Sequence, residues 1–189
     1  MRNLWLGTVL ATLAGALPAA AQETPKVEVS VNYSFIRARL VSPGGCCFNM
    51  HGGSFSVAAN LNHWVALVGD FGAYRAKNLQ SSGFDLHVAT YMFGPRFSIR
   101  RHEPLTLFGQ ALFGGGYAGG SLYSGGSPFG PQNSFSMAIG GGLDVRLHKH
   151  VAVRVVQAEW LFTKFANGVN NRQNNLRLSG GIVVRFGSK

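Results

Sequence analysis

The stretch Asn174-Asn175-Leu176-Arg177-Leu178-Ser179-Gly180-Gly181-Ile182-Val183-Val184-Arg185-Phe186-Gly187 decides how this chain folds. Taken at every second residue, Leu176, Leu178, Gly180, Ile182, Val184 and Phe186 form one set; Arg177, Ser179, Gly181, Val183 and Arg185 form the other. A β-strand puts alternate side chains on opposite faces of its sheet. One face is therefore apolar and the other carries two guanidinium groups. In a soluble protein the apolar face meets a core and the arginines meet water. In a membrane barrel the apolar face meets lipid and the arginines point inward.

The same alternation recurs along the chain. Eight strand segments are predicted, over 26–40, 53–61, 63–76, 84–100, 105–118, 134–148, 151–165 and 175–187. Val27, Val29, Val31, Tyr33 and Phe35 oppose Glu28, Ser30, Asn32 and Ser34. Leu105, Leu107, Gly109, Ala111, Phe113 and Tyr117 oppose Thr106, Phe108 and Gln110. Two segments break parity. Leu86 and Val88 conflict with Phe93, Phe97 and Ile99, and Val151, Val153 and Val155 conflict with Gln157 and Glu159. A β-bulge in each would restore the pattern. The connections alternate between long (Val41–Gly52, Lys77–Gly83, Gly119–Asn133, Ala166–Asn174) and tight (near Leu61-Asn62, Arg101–Pro104 and Lys149-His150). Outer-membrane barrels combine short periplasmic turns with longer external loops.

Composition points the same way. Of 189 residues 26 are glycine, aromatics make up 12% and charged residues only 13%, where soluble domains carry about a quarter charged residues. The N-terminus reads as a secretory signal peptide over residues 1–21: Arg2, an apolar run from Leu4 to Leu17, and Ala19-Ala20-Ala21 before the expected cut. The barrel domain is then 22–189, and no later apolar run is long enough for a spanning helix. The formal charge is +10, which suits anionic lipid or lipopolysaccharide as partner. An exported chain without a recognisable nucleic-acid motif is not expected to bind nucleic acid.

The polar sets decide which face is which. They include Glu28, Asp70, Arg96, Asp144, Arg146, Arg154, Glu159, Arg177 and Arg185, with both signs represented. The lumen of an eight-stranded barrel is just wide enough for its own side chains, and buried charges need partners. These nine residues are the expected lumenal ion-pair network, with Asp144–Arg146 and Asp70–Arg177 as expected pairs. Tyr33, Phe35, Trp64, Tyr117, Phe165 and Phe186 lie near strand ends, where interfacial aromatic girdles sit.

The segments Tyr91–Ser98, Leu107–Gly116, Ala138–Arg146, Val151–Arg154 and Asn174–Phe186 resemble the small outer-membrane β-barrel family, of the OmpA- and OmpX-type. The resemblance implies an all-β, eight-stranded antiparallel transmembrane barrel in the outer membrane of a Gram-negative bacterium. It also implies a final strand read by the barrel-assembly machinery, with Gly180, Ile182, Val184 and Phe186 as the signal. Gly187-Ser188-Lys189 follow Phe186, a small departure from that pattern.

Chemistry-bearing patterns are sparse. Cys46, Cys47 and His51 fit no zinc template and lack a fourth ligand. Gly114–Gly116 and Gly119-Gly120 precede no Lys-Ser/Thr and no helix, so they make no phosphate loop. Ser136, Ser179, His87 and Glu159 supply the groups of a lipid-modifying enzyme, but no spacing singles them out. The expectation is a non-enzymatic barrel without metal or cofactor, structural or interacting with the surroundings through external loops, its surface ligand unspecified. The alternatives are a lipocalin-like soluble ligand-binding barrel, a narrow channel and a lipid-modifying outer-membrane enzyme.

Overall fold

The computed structural model describes residues 24–42, 45–77, 85–102, 104–120, 132–166 and 171–188; the expected signal peptide lies outside them. Eight strands follow one another: β1 (Pro25–Ser42), β2 (Gly45–Asn60), β3 (Val65–Ala76), β4 (Leu86–His102), β5 (Leu105–Gly120), β6 (Gln132–His148), β7 (Val151–Thr163) and β8 (Gln173–Ser188). Each pairs antiparallel with the next, and β8 pairs back onto β1 to close the barrel. Closure satisfies every strand edge from within, which a lipid-facing sheet requires because hydrocarbon offers no hydrogen bonds.

The alternation runs as the charges demand. Glu28, Asp70, Asp144, Glu159, Arg154 and Arg177 are buried inside, while Val31, Leu67, Phe93, Leu107, Ile139 and Ile182 are exposed outside. This inverts the burial of a soluble barrel and overturns the lipocalin-like reading. Along β1 the outward set Val27 to Phe35 spans eight residue steps. At about 3.3 Å per residue and a tilt of about 40° this covers roughly 20 Å, comparable with the apolar band of an outer membrane.

One expected bulge is present and the other is not. In β7, Arg154 pairs with Gly181 and Gln157 with Ser179, so one extra residue is accommodated. Val155 and Val156 both face outward as a result, 57% and 44% exposed, and Glu159 is turned inward. In β4 the pairing with β3 is unbroken from Leu86 to Phe97. Leu86, Val88, Met92, Arg96 and Ser98 all point inward. Leu86 and Val88 need no bulge because that end of the lumen is itself apolar: they pack with Ile36, Ala38, Met50, Tyr74 and Ala76.

Two further expectations are corrected. The long connection expected over Val41–Gly52 is mostly strand: β1 and β2 continue as a paired hairpin through Arg39↔Cys47 and Ser42↔Gly45. Glycine- and cysteine-rich sequence conceals this, because the hairpin is held by cross-strand pairing rather than by local propensity. Phe165 is only 6% exposed and joins the inner apolar cluster, since the β7 bulge reverses the parity of the residues after it. Tyr33, Trp64, Tyr117 and Phe186 remain exposed on the outer wall.

Candidate functional site

The lumen holds the concentrated chemistry of this chain, and its shape follows from complementary walls. On β1, β2 and β8 many of the inward residues are small: Ser30, Asn32, Ser34, Ser54, Ser56 and Ser179. They bond among themselves, Ser30 to Ser56 at 2.6 Å and Ser34 to Ser179 at 2.8 Å. These small side chains leave room for long ones, both beside them and across the lumen.

Arg177 on β8 is the hub. Its Nε donates to Glu159 Oε2 at 2.7 Å and its Nη1 to Asp70 Oδ1 and to the Tyr74 hydroxyl, both at 2.8 Å. Glu159 is its direct cross-strand neighbour, whereas Asp70 and Tyr74 lie across the lumen on β3. The chain of contacts continues: Gln110 Nε2 donates to Glu159 Oε1 at 2.8 Å, and Arg96 Nε donates to Gln110 Oε1 at 2.8 Å. A continuous polar strut therefore crosses the barrel from β4 through β5, β7 and β8 to β3.

Arg154 forms a second unit. It donates to Asp144 through Nε at 2.8 Å and through Nη2 at 3.1 Å, and its Nη1 reaches Gln157 Oε1 at 2.8 Å. Bidentate geometry of this kind is strong for guanidinium and carboxylate. Phe108 sits between the two units, with the Arg96 guanidinium 4.5 Å and the Arg154 guanidinium 4.6 Å from its ring centroid. The ring thus meets two cations at cation–π distance. Its place is cleared by Gly142, its cross-strand partner: a Cβ at Gly142 would lie 2.7 Å from the Phe108 ring and 2.5 Å from the Val156 carbonyl oxygen.

A third unit occupies the short-turn end. Glu28 faces Arg100 Nη2 at 3.1 Å, Arg185 Nε at 3.6 Å and Arg96 Nη1 at 3.9 Å. Arg100 also donates to Asn60 Oδ1 and to the His63 carbonyl oxygen of the β2–β3 turn. Toward the long-connection end the inward side chains form an apolar cluster, with Met50, Leu86, Met92, Leu112, Leu161 and Phe165 among its members.

Eight of the nine expected network residues are buried in the lumen, and Arg146 is half-buried on β6. Asp70–Arg177 pairs as expected. Asp144 pairs with Arg154, not Arg146. The reason is geometric: Arg154 sits directly opposite Asp144 in the β6–β7 ladder, whereas same-face neighbours along one extended strand are about 7 Å apart. Arg100, Gln110, Gln157, Tyr74 and Phe108 belong to the network but were not singled out. Their inward parity was the available signal.

The other candidates do not converge. Ser136 and Ser179 are buried inside, His87 is exposed outside, and Glu159 is held by Arg177 and Gln110. Cys47 and His51 lie on one face of β2, four residues and so about 13 Å apart along an extended strand. The Cys46 side chain lies outside the described residues. Among the described residues no group of three His, Cys, Asp or Glu side chains is placed to hold a metal ion. His51 instead bonds the Tyr33 hydroxyl at 2.6 Å on the outer wall.

The family profile "outer membrane protein beta-barrel domain" matches residues 7–185. Among solved structures, Neisserial surface protein A superposes with a TM-score of 0.63 at 18% identity, covering 85% of this chain and 97% of that one. Ail, the attachment invasion locus protein of Yersinia pestis, gives 0.53 at 21%, covering 84% and 99%. The N-terminal β-barrel domain of Pseudomonas aeruginosa OprF gives 0.53 at 14%, covering 87% and 100%. A search of curated proteins gave no significant match.

Proposed function

Since this chain belongs to the outer membrane protein β-barrel domain family, we propose that it is a non-enzymatic outer-membrane barrel with a structural or surface-interaction role and a lumen plugged by its own side chains. The observation that carries this reading is the strut centred on Arg177, which spans from β8 to Asp70 and Tyr74 on β3 in a lumen that also holds an apolar cluster. Ile36, Met50, Leu86, Val88 and Phe165 crowd the lumen at the long-connection end, beside the buried Thr90, Ser136, Thr163 and Asn175, which favours a filled lumen over an open pore. The separation of Ser136 and Ser179 from His87 supports a non-enzymatic role. By the usual asymmetry of such barrels, the tight turns at 61–64 and 149–150 face the periplasm and the longer connections face the exterior.

The outer rim supports a lipid-phosphate partner, lipopolysaccharide included. Arg37, Arg39, Arg75, Lys77, Lys164 and Arg172 are exposed around the long-connection end, with Asp85 paired to Arg75. The connecting residues 78–84, 121–131 and 167–170 contain no charged residue. The positive charge therefore lies on the barrel wall just beyond the apolar band, level with headgroups. Gly180, Ile182, Val184 and Phe186 line the outward face of β8, where the assembly machinery would read them.

Planar-bilayer recording tests the plugged lumen. Purified protein, added to a lipid bilayer in salt, is expected to give no stable unit conductance. Steady open steps from the wild-type barrel would refute the plug.

A further inference from the structure

Charge is distributed unevenly along the lumen. Among the described residues, five guanidinium groups are buried inward, those of Arg96, Arg100, Arg154, Arg177 and Arg185, against four carboxylates, Glu28, Asp70, Asp144 and Glu159. Arg177 takes two of these carboxylates and Arg154 takes a third. Glu28 is left facing Arg96, Arg100 and Arg185 together, all with side chains no more than 8% exposed. Only the Arg100 contact, at 3.1 Å, is within hydrogen-bonding distance of the carboxylate. Arg185 also lies within electrostatic reach of Arg146, while Asp144 there is already chelated by Arg154.

The N–H donors of this unit are likewise in surplus. Arg96 Nη2, Arg100 Nε and Arg185 Nε are buried with no hydrogen-bond partner. Arg96 spends its Nε on Gln110, Arg185 has only a 3.4 Å contact from Nη2 to Thr106, and Arg100 is held by Asn60 and the His63 carbonyl. Three buried guanidiniums around one carboxylate carry two positive charges in excess, and such charge is costly in a low-dielectric interior unless compensated. Neutral water can satisfy the N–H groups but cannot balance the charge.

We propose that the short-turn end of the lumen, between Arg96, Arg100 and Arg185, binds a single small inorganic anion of halide size. The guanidiniums supply its charge and its hydrogen bonds. Glu28 competes with it as the built-in counter-charge. An eight-stranded lumen is filled by its own side chains, which favours a monatomic anion over a tetrahedral oxyanion. The site lies on the turn side of the Arg177 strut, so the anion is held rather than passed through.

The test uses the mature barrel refolded in detergent. Thermal unfolding midpoints are measured at fixed ionic strength while sodium gluconate is exchanged for sodium bromide, then for sodium phosphate, and bromide-soaked crystals are searched for anomalous scattering. Bromide is expected to raise the midpoint saturably and to appear in the lumen beside Arg185. Arg185→Gln should abolish the saturable rise while leaving the basic outer rim unchanged. Glu28→Gln should tighten bromide binding by about tenfold or more, because it removes a competing buried negative charge. Equal midpoints in bromide and gluconate, with no lumenal anomalous peak for the wild-type protein, would overturn the proposal. A rise with phosphate but not bromide would overturn the halide-sized assignment. The wild-type measurements decide the matter even where a variant fails to refold.

Discussion

Replacing Arg177 by methionine tests the lumenal strut most directly. The side chain is fully buried and serves two carboxylates and a phenol. Methionine keeps most of the volume and removes all the donors. Glu159 would retain its bond from Gln110, but Asp70 would lose its ion-pair partner while only 1% exposed. Breaking a buried ion pair from one side costs about 3–5 kcal/mol, because the remaining charge is stranded. Arg177→Met should therefore lower the unfolding free energy by that amount. The assay is urea unfolding from lipid vesicles, followed by the fluorescence of Trp64 and Trp160, both exposed on the outer wall. The companion variant Arg177→Met/Asp70→Asn/Glu159→Gln removes the charges as well, and should recover more than half of the loss, since replacing a whole buried ionic group by neutral side chains of similar volume is often close to neutral. If Arg177→Met unfolds within about 1 kcal/mol of the wild type, the strut is not a stabilising element and the reasoning fails.

Four further outcomes are expected. Gly142→Ala should destabilise the barrel by about 1–3 kcal/mol, since the new Cβ meets the Phe108 ring and the Val156 carbonyl. Gly109→Ala, whose nearest neighbour would be 3.8 Å away, should leave the unfolding midpoint on a boiled-versus-unboiled SDS gel unchanged. Ile182→Arg, outward on β8, should cost about 2–4 kcal/mol near the bilayer midplane in the same vesicle unfolding assay. Phe186→Ala should reduce the amount of barrel inserted in cells while leaving spontaneous refolding into detergent at the wild-type yield; equal loss in both would point to stability rather than to recognition by the assembly machinery.

The sequence by itself carried the strand count, the inside–outside assignment and most of the lumenal residues. The reason is that period 2 is a local property: Leu176 and Arg177 lie on opposite faces whatever surrounds them. The inversion of charge and greasiness is then legible because a narrow lumen and a lipid exterior leave only one arrangement. Even the β7 bulge was readable, since Val155 and Gln157, two residues apart, would share a face without an extra residue, yet one is apolar and the other polar. What alternation does not encode is which side chain meets which. Asp70 and Arg177 are 107 residues apart, and only barrel closure brings β3 and β8 to face each other. Asp144 finds Arg154 rather than Arg146 because the ladder register sets the shortest distance. The apolar half of the lumen was hidden for the same reason: Leu86 and Val88 resemble lipid-facing residues until the ring of strands places them beside Ile36, Met50 and Tyr74. The crowding of three arginines about Glu28 is likewise set by closure: Arg185 comes opposite Glu28 only when β8 pairs back onto β1, and Arg96 and Arg100 reach Glu28 from β4 across the lumen.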